Sequence, residues 1–101
     1  MAVSNEYGAR FKCVILSPNS LIYENEISSL FLTGDRGEFE ILPYHYPVIA
    51  VLKEGDIVIN GQEKIHVNGG VVRFFANECT ILIEESEHTF SSAQNSMDKP
   101  N

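Results

Sequence analysis

Apolar residues recur at every second position in short runs along this chain, and this period of two constrains the fold more than any other feature. Phe11, Cys13 and Ile15 share one side of such a run, and Ile57 and Ile59 share one side of another. This alternation is typical of β-strands with one buried face. No window of eleven or more residues has the three-to-four spacing of an amphipathic helix. The pattern predicts an all-β protein with almost no helix.

Turn-forming residues separate these runs at regular intervals. They lie at positions 17–19, 24–25, 34–37, 43, 54–56, 60–61, 68–70 and 76–77. Asn60-Gly61 is the strongest hairpin signal, because a type I′ turn needs positive φ at both central residues. So many turns predict an antiparallel β-sandwich or flattened barrel of about nine or ten short strands. The residues to which we assign turn-forming roles are Gly34, Gly37, Pro43, Pro47, Gly55, Asn60, Gly61, Gly69 and Gly70.

The length of 101 residues and the hydrophobic share of 44% are those of one folded domain. We expect residues 10–85 to form it, residues 1–9 to be a flexible N-terminal segment, and residues 86–101 to be a polar, disordered tail. The longest apolar run covers residues 48–52, far short of the roughly 20 residues of a spanning helix. The N-terminus also lacks the layout of a signal peptide. These features predict a soluble, intracellular protein without direct membrane insertion.

Charge and cysteine content narrow the possible partners. The 14 acidic and 7 basic residues give a net charge of −7, which opposes binding to nucleic-acid phosphates and to anionic lipid head groups. Cys13 and Cys79 stand far apart without a C-x-x-C spacing, so neither a disulfide framework nor a zinc ribbon is indicated. We expect both to be reduced thiols in the core.

The residues that could carry chemistry do not form a recognised catalytic pattern. His45, His66 and His88 are about twenty residues apart, and the paired His-x-His with a following Glu of cupins, which are small metal-binding β-barrels, is missing. The turn at 34–37 lacks the lysine and the following helix of a phosphate loop. These residues therefore indicate no cofactor, metal or small-molecule substrate, and a cupin-like metal-binding enzyme is kept as one alternative.

A carrier domain is a second, more distant alternative. Residues 51–58 resemble the entry into the hairpin of biotinyl and lipoyl carrier domains, which are also small all-β folds. Such a domain displays its modified lysine at a hairpin tip. In this chain Asn60-Gly61 forms the tip and Lys64 follows it in the next strand.

The segment from Gly34 to Gly55 carries a resemblance to a known family. It reads GDRGEFEILPYHYPVIAVLKEG and resembles the pattern G-x-x-G-E-x-G-I-L-P-x-H-x-P-x-x-x-x-L-x-x-G of the N-terminal domain of the ε subunit of F-type ATP synthase, the subunit called δ in mitochondria. Residues 67–74, Asn77 and residues 80–83 are similar to the family's glycine-glycine hairpin and closing strand, and residues 11–18 to its first hairpin. The resemblance covers roughly residues 10 to 85.

This resemblance implies specific contact residues. The family's domain sits at the foot of the central stalk, between the γ subunit and the polar loops of the membrane c-ring. Glu38 matches the family's acidic residue on the ring side, and His45 matches the histidine near γ. Glu40 and Tyr44 stand where the family usually has glycine, and Tyr46 replaces a small residue. Because tyrosine favours interfaces, we expect Tyr44 and Tyr46 to enlarge the γ-side surface.

The resemblance also implies the overall task. It implies a non-catalytic rotor subunit that links γ to the c-ring and couples ion translocation to ATP synthesis. Such a subunit would be peripheral, on the cytoplasmic side of the bacterial inner membrane. Many family members continue into a two-helix C-terminal domain, but residues 86–101 have no helical period. We expect a short form, to which the regulatory roles of those helices are not carried over.

Overall fold

The computed structural model describes residues 8–84, and this part of the chain contains seven β-strands and no helix. The prediction of an all-β fold is confirmed. No helix in these residues is long and apolar enough to cross a membrane. The strands are β1 (Phe11–Leu16), β2 (Leu21–Ile27), β3 (Leu30–Gly34), β4 (Gly37–Ile41), β5 (Val48–Ile59), β6 (Glu63–Phe75) and β7 (Glu78–Ile83).

The seven strands are hydrogen-bonded in the order β2-β1-β7-β6-β5-β3-β4. Neighbouring strands are antiparallel except β1 and β7, which are parallel. The predicted antiparallel sandwich is therefore corrected to a mixed one. A tight hairpin forces its two strands to be antiparallel, but β1 and β7 lie at opposite ends of the described chain, and no hairpin fixes their direction.

The predicted number of strands was too high, because two strands continue through residues assigned to turns. β5 and β6 have 12 and 13 residues and pair in one unbroken register, with Lys53 opposite Gly69 and Gly55 opposite Val67. The turn assignments of Gly55, Gly69 and Gly70 are thus wrong. The segment 24–25 likewise lies inside β2.

The glycines of the long strands mark a bend instead of a reversal. In β5 the last buried side chain before the glycine is Leu52 and the first one after it is Ile57, five positions later. In β6 the corresponding residues are Val67 and Val72, also five positions apart. Side chains alternate between the two sides of a strand, so an odd spacing means that each strand changes the side that faces the core. Strands that pass between layers in this way form the corners of a sandwich, which lets one continuous ladder enclose a single core.

Gly70 allows the close contact at this corner. Its φ of 157° lies in a region that only glycine adopts readily. A Cβ atom at this position would clash with the carbonyl oxygen of Leu82 on β7. The bend and the approach of β7 therefore both require a residue without a side chain.

The core combines inward residues of all seven strands. The predicted alternation in β1 is confirmed, since Phe11, Cys13 and Ile15 are all buried. Cys13 and Cys79 are direct partners in the parallel pair, and both are buried, free thiols, as predicted. A hydrogen bond with Cys13, together with burial, raises the pKa of the Cys79 thiol far above its usual value. The Cys79 thiol is thus poorly suited to react as a thiolate.

The hairpin at Asn60-Gly61 is confirmed. Both residues have positive φ, 54° and 70°, and the N–H of Gln62 donates to the carbonyl of Ile59 at 3.0 Å. Asn60 has a second role, because its Oδ1 accepts a hydrogen bond of 2.8 Å from the N–H of Ser28. This contact fixes the hairpin tip to the connection between β2 and β3.

The two predicted flexible segments, 1–9 and 86–101, lie outside the described residues apart from positions 8 and 9. His88 lies outside them too. The domain boundaries at residues 10 and 85 therefore stay predictions.

Candidate partner interface

The connection from β4 to β5 carries three of the predicted contact residues. It begins with a turn in which the N–H of His45 donates to the carbonyl of Leu42 at 3.1 Å. Pro43 takes the first central position and Tyr44, with φ 65°, takes the second. This is the arrangement of a type II turn, in which the second central residue is normally glycine. Tyr44 thus occupies a backbone conformation that costs a non-glycine residue about 1–3 kcal/mol.

Asn77, in the turn between β6 and β7, holds this connection in place. Its Oδ1 accepts a hydrogen bond of 2.7 Å from the N–H of Tyr44, and its Nδ2 donates one of 2.9 Å to the carbonyl of Arg10. Asn77 itself has φ 60°, which asparagine tolerates better than most residues. One side chain therefore joins the β4–β5 connection to the residue before β1. The sequence indicated a turn at 76–77, but no sequence signal indicates this contact.

The His45 ring is fixed within the same connection. Its Nδ1–H donates to the carbonyl of Tyr46 at 2.7 Å, which places the proton of the neutral ring on Nδ1. The ring centroid lies 4.2 Å from that of Tyr46 and 5.9 Å, edge-on, from that of Phe74. Phe74 is buried, so the half-buried His45 ring packs against the core on one side.

The two tyrosines are the most exposed aromatic side chains that the structure describes. Tyr44 is 74% exposed and Tyr46 is 72% exposed. Their rings are presented by a connection whose backbone is held by a turn and by Asn77. A rigid presentation of this kind lowers the entropy that would be lost on binding.

Glu38 lies apart from these aromatic residues, on the edge strand β4. It is exposed and pairs with Thr33 of β3, directly after the turn between Gly34 and Gly37. That turn is confirmed, and a Cβ atom at Gly34 would lie 3.0 Å from the Phe39 ring, which would have to shift slightly to admit a side chain. The N–H of Asp35 donates to the carbonyl of Val51 at 2.9 Å, which joins the turn to β5.

A cleft separates the turn of β3–β4 from the β4–β5 connection. Its volume is about 380 Å³, and the side chains of Phe39, Val48 and Ala50, which pack partly against the core, line it. The structure brings His45 and Tyr46 together around this cleft with the residues of the turn, whereas Glu38 and Tyr44 do not line it. The residues that complete its lining are Gly34, Asp35, Arg36, Gly37, Ile49 and Val51.

Within residues 8–84, no group of three or more His, Cys, Asp or Glu side chains is placed to hold a metal ion. His66 lies elsewhere, on the exposed side of β6, where Nδ1 contacts Asp56 at 2.8 Å and Nε2 contacts Glu54 at 3.2 Å. These two carboxylates, Asp56 first, raise the pKa of His66.

The family model described as the β-sandwich domain of the ATP synthase delta/epsilon chain matches residues 10–89 of this sequence. The chain belongs to this family. Among curated relatives, the ATP synthase epsilon chain of Psychrobacter arcticus is 39% identical over 80 residues, covering 75% of this chain and 58% of that protein. The epsilon chain of Leptospira interrogans is 36% identical over 78 residues, covering 74% and 61%. The chain thus spans 58–61% of the length of these two relatives.

Solved structures agree with this assignment at the level of the fold. A chain of the central stalk and c-ring of the Tetrahymena thermophila mitochondrial ATP synthase superposes with a TM-score of 0.64 at 19% identity, covering 89% of this chain and 75% of that one. A chain of the Euglena gracilis mitochondrial ATP synthase gives 0.66 at 15% identity, covering 84% and 61%. The findings support the ε-type interpretation and neither the cupin-like enzyme nor the carrier domain.

Proposed function

We propose that this ε-family chain is a non-catalytic central-stalk subunit of a rotary ATP synthase, which links the γ subunit to the c-ring and so couples ion translocation to ATP synthesis. The observation that carries the proposal is the family match over residues 10–89. Relatives that bear the name ATP synthase epsilon chain add to it. The subunit would be peripheral, on the cytoplasmic side of the bacterial inner membrane, and held there through the complex.

We assign the γ-side contact to His45, Tyr44 and Tyr46. Two largely exposed aromatic rings on a connection held by Asn77 are unusual for a surface that only meets water. Interfaces are enriched in tyrosine, whose ring buries apolar area while its hydroxyl keeps a polar partner. We assign the ring-side contact to Glu38, which is separated from this aromatic group by the cleft.

The γ-side assignment is tested by removing both tyrosine rings. The combined Tyr44→Ala and Tyr46→Ala variant should bind the cognate γ subunit at least about tenfold more weakly, because truncating an interface aromatic often costs about 2 kcal/mol or more. The thermal midpoint should hardly change, since both rings are exposed. Leu21→Ala, at the opposite edge strand, is the matched control and should bind like the parent. Unchanged binding by the double variant would refute the assignment.

The ring-side assignment is tested by Glu38→Gln, which removes a charge and keeps the shape of the side chain. In the assembled enzyme it should lower ion-driven ATP synthesis while leaving γ binding unchanged. Glu40→Gln, on the same edge strand, is the control and should affect neither. Equal losses of synthesis in both variants would show that the charge of the strand, and not Glu38, is responsible.

A further inference from the structure

The outward side of β5 and β6 carries a group of exposed apolar residues, which we call the outer β5–β6 face and define as Ile49, Val51, Val71 and Phe75. Val51 and Val71 are direct cross-strand partners. Ile49 is 76% exposed, the largest exposure among the large apolar side chains that the structure describes, and Phe75 is 54% exposed. Contiguous apolar surface of this kind on a folded domain marks a site of interaction.

Ile49 stands between two clefts. The first is the cleft of about 380 Å³ described above, and the second, of about 360 Å³, is lined by Pro47, Val48, Ile49, Arg73, Phe74 and Phe75. Both clefts include Val48 and Ile49, so one projecting side chain forms the ridge between them. The width of one side chain is comparable to the spacing of about 5–6 Å between residues one turn apart on a helix.

Each cleft contains one arginine. Arg36 lines the first and Arg73 the second, where its guanidinium carbon lies 5.6 Å from the centroid of the Phe75 ring. Within residues 8–84 neither arginine forms an ion pair, although Asp35 lies in the first cleft beside Arg36. Although the chain has a net charge of −7, Arg36 and Arg73 lie on either side of the Ile49 ridge without a carboxylate partner among the described residues. This charge pattern complements a partner that supplies carboxylates.

We propose that the outer β5–β6 face binds an acidic amphipathic helix of the γ subunit. Two apolar side chains of the helix, one turn apart, enter the clefts on either side of Ile49, and carboxylates of the same helix meet Arg36 and Arg73. Binding of an amphipathic helix in a groove through residues one turn apart is a general mode of recognition. The choice of γ as the partner rests on the function proposed above, whereas the chemistry of the bound segment comes from the clefts and their arginines.

The apolar half of the proposal is tested with Ile49→Asp in the full chain. This change removes the ridge and adds a charge that repels the carboxylates, so we expect γ to bind at least about tenfold more weakly. Leu21→Asp is the control, because Leu21 has an exposed fraction of 54% on the distant edge strand β2. It should bind like the parent. Circular dichroism and the thermal midpoint check that both variants fold.

The charged half is tested with Arg36→Glu combined with Arg73→Glu, measured at low and at high ionic strength. The double variant should bind about tenfold more weakly at low ionic strength and lose most of the salt dependence that the parent shows. Lys64→Glu combined with Lys53→Glu makes the same change in net charge outside both clefts and should retain the salt dependence.

A cross-linking measurement identifies the partner segment directly. In Arg36→Lys and Arg73→Lys, a carbodiimide should join each introduced amine to a carboxylate of γ, and the two linked carboxylates should lie on one helix with apolar residues a turn apart. Cross-links to an unrelated segment, or none in a complex that forms, would overturn the proposal. Binding by the parent that is insensitive to both sets of variants would overturn it while leaving the proposed function intact. No binding of γ by the parent would overturn both.

Discussion

The side chain of Asn77 should make a measurable contribution to stability, which Asn77→Gly isolates. Glycine accepts the φ of 60° at this position, so the change removes the side-chain bonds to Tyr44 and Arg10 without adding backbone strain. Each bond contributes about 1 kcal/mol net, and the backbone strain that glycine relieves at this φ offsets its extra freedom in the unfolded chain. We expect a loss of about 2 kcal/mol, which lowers the thermal midpoint of a domain of this size by roughly 10 °C.

Urea unfolding and amide hydrogen exchange together test this expectation. Asn77→Asp is the matched variant, because its carboxylate still accepts from the N–H of Tyr44 but cannot donate to the carbonyl of Arg10. It should lose about half as much free energy of unfolding as Asn77→Gly, because one of the two bonds, worth about 1 kcal/mol, remains. The Tyr44 amide should exchange faster in Asn77→Gly and remain protected in Asn77→Asp. A parent-like free energy of unfolding and a protected Tyr44 amide in Asn77→Gly would refute the reasoning.

Three further expectations concern the rest of the domain. The flanking carboxylates raise the pKa of His66, so their interaction with the protonated ring stabilises the fold fully below the unfolded pKa of about 6.5. This stabilisation is lost as pH rises through the folded pKa. The free energy of unfolding should therefore fall over that window in the parent and not in His66→Gln. Thiol titration should find two free groups after denaturation without reductant and almost none reacting quickly in the folded protein, because both cysteines are buried; a count of zero after denaturation would contradict this. Gly70→Ala should destabilise the domain by about 3 kcal/mol or more, since its Cβ meets the Leu82 carbonyl, whereas Gly61→Ala, whose Cβ has open space, should cost about 1 kcal/mol; similar midpoints for the two variants would contradict the close contact.

The sequence predicted those parts of the fold that depend on local chemistry. The period of two identifies a buried face in β1, and Asn60-Gly61 identifies a type I′ turn, because neither requires knowledge of distant residues. The glycines of β5 and β6 were misread for the same reason. A glycine is compatible with both a turn and a bend in a strand. At Gly70 the close approach of Leu82 on another strand requires the glycine, and the sequence around Gly70 does not show this contact.

In the candidate interface, too, the sequence predicts what depends on neighbouring residues and misses what depends on distant ones. Pro43 was predicted to lie in a turn, and the structure places it at the first central position of a type II turn, but the positive φ of Tyr44 has no signal in the sequence. The cleft, the ridge of Ile49 and the contact made by Asn77 could not be predicted, because each depends on segments far apart in the sequence. Tertiary packing brings position 77 within 2.7 Å of position 44, and no pattern in either segment encodes that distance.

The location of the chain in the assembled enzyme tests the central claim most directly. Single-particle electron microscopy of the ATP synthase, purified with its native subunits from the cells that encode this chain, would show where the sandwich lies. We predict density for the seven strands at the foot of the central stalk, with the β4–β5 connection against γ and Glu38 facing the c-ring. An intact rotor that lacks this density, or that carries the sandwich away from both γ and the ring, would contradict the account.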